Sequence, residues 1–130
     1  MRKDKDRVRI GDVIQLSGET DIKLLWGQFL DDFYHAPADE RYALIKDEPP
    51  YSEGLEEKWL FILAAAAHAL ANQYDLDVPE WSLEKKYVSE KALYAFDSHI
   101  KAHQEYLEET SLPEFKERNL MLGDNILSRC

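Results

Sequence analysis

Ile22, Leu25, Trp26, Phe29, Leu30 and Phe33 fall at the i, i+3, i+4, i+7 spacing of one helical face, and with Thr20 placed to cap it this pattern predicts a helix over residues 20–35. Upstream, Val8, Ile10, Val13, Ile14 and Leu16 predict a short helix ended by Gly18, although β-branched residues weaken it. Pro37 suits the first turn of a further helix, with Asp39 and Glu40 near its positive end and Tyr42, Leu44 and Ile45 inward. The Pro49-Pro50 pair stops it. Ser52 then caps the most apolar helix, over residues 53–75, whose middle reads WLFILAAAAHALA. A helix apolar on most sides is a central one, and its alanines let neighbouring helices approach closely.

Asp77-Val-Pro-Glu80 has the grammar of a reciprocal cap opening a short helix with Trp81 and Leu83, while Tyr87 to Phe96 follows no clear period. Ser98 caps a helix striped by Phe96, Ile100, His103 and Leu107. Ser111-Leu-Pro-Glu114 repeats the cap grammar for a short helix through Phe115 that stops near Asn119. The end of the chain, RNLMLGDNILSRC, is apolar and punctuated by turns, so it is expected to dock: Leu120-Met-Leu as a short extended crossing, Gly123 as a break, and Asp124 capping a last turn with Ile126 and Leu127. No internal repeat, linker or set of period-2 strands is apparent. The pattern predicts an all-α fold, a single domain over residues 1–130 built as a compact bundle of about five to seven helices around the central alanine-rich helix.

Composition adds that a core is feasible, since 45% of residues are hydrophobic and 12% aromatic. Charge divides the chain. Residues 1–10 hold five Lys/Arg against two Asp and read as a basic, flexible start; with a net charge of −10 overall, the remaining 120 residues carry −13. A body of that sign repels phosphate backbones, which disfavours direct nucleic-acid binding; solubility alone explains such a charge, and a protein partner with a basic surface also suits it. One cysteine, Cys130, allows no intramolecular disulfide, and residues 1–25 lack the apolar block of a signal peptide, which points to the cytoplasm. The longest apolar stretch, WLFILAAAA, is about half of the ~20 residues that a membrane span needs, so no membrane partner is expected.

Candidate chemistry is sparse. His99 and His103, four apart, would share one helical face and could supply two metal ligands, with Asp32 and His35 as remote further candidates. A polar helix face explains the same spacing, and Ile100 stands where zinc peptidases place a glutamate. His68, alone among alanines, reads as a satisfied core histidine bonded to a carbonyl or a tyrosine hydroxyl. No nucleophile elbow or phosphate loop is present, and no cofactor is implied. Seven tyrosines and three tryptophans exceed what a core of this size needs; packing at the core boundary accounts for such residues as well as an interface does, and Tyr34, Tyr51 and Tyr106 are the candidate anchors.

The sequences HALANQYDLDVPEW and SLPEFKERNLMLGDNILSR resemble those of a group of small bacterial proteins that pair a Pro-x-Trp step with a Phe-x-x-Arg-Asn segment and an Asn-x-Leu-x-Arg ending. The likeness covers residues 55–130 and rests on Pro79, Trp81, Phe115, Arg118, Asn119, Asn125, Leu127 and Arg129. The connector between Pro79 and Ser111 is longer and more charged than that pattern. The resemblance implies an association with nucleotidyltransferase-like genes in arrangements similar to toxin–antitoxin pairs. If geometry fixes the polar residues of the tail, Arg118 and Arg129 pair with carboxylates or final helix carbonyls, and Asn119 and Asn125 serve as helix-end residues. Two functions are therefore expected to compete: a cytoplasmic, non-enzymatic interaction module, antitoxin-like and capable of self-association, or a metal-binding protein or metal-dependent enzyme using His99 and His103.

Overall fold

The computed structural model describes residues 7–18, 20–50, 56–95 and 99–128. Helices dominate these residues and the only strands among them are two residues long, so the fold is all-α. Two compact units divide the chain, one of residues 1–55 with 129–130 and one of residues 56–128.

In the first unit, helix α1 (Asp12–Gln15) is a single turn and α2 (Ile22–His35) is the main element. Asp21, not Thr20, caps α2: its carboxylate accepts the Lys23 N–H at 2.7 Å, meeting one of the donors that a helix start leaves open. The buried face carries Leu25, Phe29, Leu30 and Phe33 as the spacing predicts. Ala36 is extended, as a residue before proline tends to be, and α2 ends there. Arg41 closes that end, donating to the carbonyls of Phe33 (3.2 Å) and Tyr34 (3.0 Å) where the helix dipole favours a cation.

The basic start is packed from Arg7 onward. Arg7 is 8% exposed and pairs with Glu40 at 3.3 Å, Val8 and Ile10 are buried, and the Ile10 N–H donates to the Leu44 carbonyl at 2.8 Å. Residues 7–10 of the basic start are thus packed; residues 1–6 lie outside the described residues. The helix predicted after Pro37 is instead two 3-10 turns, Ala38–Glu40 and Tyr42–Leu44. A segment between prolines is too short to repay α-helix nucleation, so Leu44 and Ile45 bury side by side while Tyr42 stays exposed.

The second unit is built on α3 (Glu57–Gln73), in which every residue from Phe61 to Ala67 is buried. It starts later than predicted, after Glu56, and Ser52 lies outside the described residues. Its end is well formed: Asp75 adopts φ 57° and the Leu76 N–H reaches back to the Ala71 carbonyl at 2.8 Å, the 6→1 bond of a Schellman motif. The reciprocal cap predicted at Asp77 and Glu80 does not form. Pro79 precedes a 3-10 turn, Glu80–Leu83, with no side-chain cap, and the Ser82 hydroxyl donates to the Pro79 carbonyl at 2.6 Å. Trp81 is buried against Tyr87, edge to face at 5.7 Å, and Tyr87 ends a second 3-10 turn, Lys85–Tyr87.

Strand β1 (Leu93–Tyr94) pairs in parallel with β2 (Leu120–Met121), Leu93 opposite Leu120. Helix α4 spans Lys101–Thr110, and α5 spans Pro113–Lys116 with Pro113 at its first position. Ser111 does not cap α5. Its hydroxyl donates to the Leu107 carbonyl at 2.6 Å and accepts the Gly123 N–H at 2.9 Å, so it fastens the tail to α4. Asn119 takes φ 63° and Gly123 φ 88°, the two left-handed positions that turn the chain into and out of the extended crossing. The tail docks through Leu120 and Leu127, buried at 0% and 4% exposure.

Candidate functional site

Leu107 is the buried residue of α4, and the opposite side of this helix faces outward with Lys101, Ala102, Glu105, Tyr106, Glu108 and Glu109 all exposed. At 100° per residue, Glu105 and Glu109 form one outer row and Ala102 and Tyr106 the adjoining one. Tyr106 is 58% exposed, an aromatic ring beside a small residue and two carboxylates. Lys101 stands 3.9 Å from Glu105, too long and too exposed to neutralise the row.

Glu108 braces this helix against the preceding connector, since the Tyr94 hydroxyl donates to its carboxylate at 2.6 Å. That hydrogen bond, followed by burial and the charge of Glu108, raises the Tyr94 phenol above its ordinary value. A raised pKa means that the bond contributes fully below the unfolded value of about 10 and is lost as pH climbs through the higher folded value. In an alkaline absorbance titration Tyr94 should therefore ionise late. Tyr94→Phe should abolish that late step, and an unchanged curve in the variant would refute the assignment.

The second unit also holds a polar network centred on Arg118, which is 3% exposed. One terminal nitrogen donates to the Glu114 carbonyl at 2.7 Å and also lies 3.3 Å from Glu117 Oε1 and 3.2 Å from His68 Nδ1. The other donates to the Ser82 carbonyl at 2.6 Å. Burial pushes the guanidinium below the usual arginine range, and the charges of Glu117 and then Glu114 pull it back. The backbone completes the seam: the Arg118 carbonyl accepts the Ser89 N–H at 3.1 Å, the Asn119 carbonyl accepts Leu93 N–H at 2.8 Å, and the Asn119 side chain donates to the Ser89 carbonyl at 2.6 Å. Arg118 and Asn119 thus act structurally, joining α3, the 80–83 turn and β1 to the tail.

Other candidates are dispersed. Helix α4 begins at Lys101 after an extended Ile100, so His99 stands outside the helix and does not share a helical face with His103. In the first unit Asp32 is buried, accepting the Val8 N–H at 2.7 Å and the Gln28 amide at 2.9 Å, whereas His35 is exposed with Nδ1 2.7 Å from the Asp31 carbonyl. No group of three or more His, Cys, Asp or Glu is placed to hold a metal ion among the described residues. Tyr34 is half-buried, edge to face with Phe33 at 5.9 Å, and Asn125 is exposed in the last turn. Tyr51, Phe96, Ser98 and Arg129 lie outside the described residues.

The partners of His68 differ from the expected carbonyl or tyrosine, because Arg118 and Glu117 come from fifty and forty-nine residues away in sequence. Glu117, Ser82 and Ser89 were not singled out by the sequence pattern. The usable signal was an arginine following Phe115 in an otherwise apolar tail. No helix of the described residues is long and apolar enough to cross a membrane. No family model, curated protein or solved structure matches this chain.

Proposed function

We propose that this chain is a bacterial, cytoplasmic interaction protein without catalytic activity of its own, an antitoxin-like partner that neutralises a second protein bearing a basic surface. The observation that carries this reading is Tyr106, 58% exposed on the outer face of α4 with Glu105 and Glu109 beside it. A tyrosine anchor among carboxylates suits a Lys- or Arg-bearing partner, which can stack on the ring and pair with the acids. The overall charge of −10 supports electrostatically assisted encounter. The buried charged residues Asp32 and Arg118 are already held by buried hydrogen bonds.

The test is co-purification from the native host followed by affinity measurement on the isolated complex. Binding should weaken as salt rises, and Tyr106→Ala should reduce affinity by about 2 kcal/mol or more with an unchanged melt. A complex indifferent to both salt and Tyr106→Ala would refute the surface assignment. About one transition-metal ion per chain, lost in His103→Ala, would instead establish the metal-protein alternative.

A further inference from the structure

We draw no further inference here: the strongest candidate, the cleft of about 240 Å³ in the first unit between residues 9–15 and residues 43–50, owes its polar walls to an acidic cluster of Asp12, Asp47 and Glu48 beside Arg9, and nothing in the structure points to a ligand that would occupy it.

Discussion

Deletion of residues 120–130 is expected to leave the second unit without a cooperative melt. Leu120 and Leu127 are buried at 0% and 4% exposure, and full burial of such side chains contributes about 1.5–3 kcal/mol each. Met121, Leu122 and Ile126 are half-buried and add to that. The deletion also strips β1 of the strand it pairs with and removes the Gly123 N–H from the buried Ser111 hydroxyl. Together these losses are comparable with the whole stability of a small domain, about 5–15 kcal/mol. The truncated chain should be insoluble, or retain far-ultraviolet helicity while losing near-ultraviolet signal. Leu120→Ala by itself should cost about 2–5 kcal/mol. A truncated protein that melts cooperatively within a few degrees of the intact one would show that the tail is dispensable.

The same tail shows which features could be read from the chain. Leu120-Met-Leu, Gly123 and Leu127 form a local signal, apolar residues followed by a breaker, and the docked crossing and its left-handed Gly123 match it. Helix α2 was equally legible because six apolar residues repeat on one face over about three turns, and α3 because its apolar run is continuous. The errors cluster where one residue's conformation outweighs periodicity. Pro37, read as a first-turn proline, and Pro79, read as part of a reciprocal cap, each head a 3-10 turn, and extended Ile100 removes His99 from α4. A two-residue parallel pair such as β1 with β2 is too short to print an alternation in sequence. Least legible were the polar sites. The Val8 N–H on Asp32 and the Arg118 contacts with Ser82 and His68 join residues 24, 36 and 50 positions apart, which no local spacing encodes. On the candidate surface, the exposure of Tyr106 was anticipated, but its setting between Glu105 and Glu109 needed the start of α4 to be fixed.

Arg118→Ala should be the most damaging single substitution of a polar residue in the second unit. The variant deletes the donor to the Ser82 carbonyl at 2.6 Å and to the Glu114 carbonyl at 2.7 Å, and it leaves His68 and Glu117 without their shared cation. Hydrogen bonds to charged groups are worth about 1.5–3 kcal/mol each, and the variant removes two of them from backbone carbonyls while Glu117, 55% exposed, adds little. At about 4–8 °C per kcal/mol for a small domain, the melt should fall by at least ~10 °C. Arg118→Lys separates charge from geometry. Lysine keeps the cation but is a point charge without the planar fork that reaches two carbonyls on different segments, so it should recover only part of the loss. Amide exchange adds a local reading: Ser89 and Leu93, fastened to the Arg118 and Asn119 carbonyls, should lose protection first in both variants, ahead of the middle of α3. Thermal denaturation of the three proteins, with exchange at those amides, is the measurement. An alanine variant melting within about 2 °C of the parent, far below the cost expected for two lost charge-assisted hydrogen bonds, would show that the seam does not depend on Arg118.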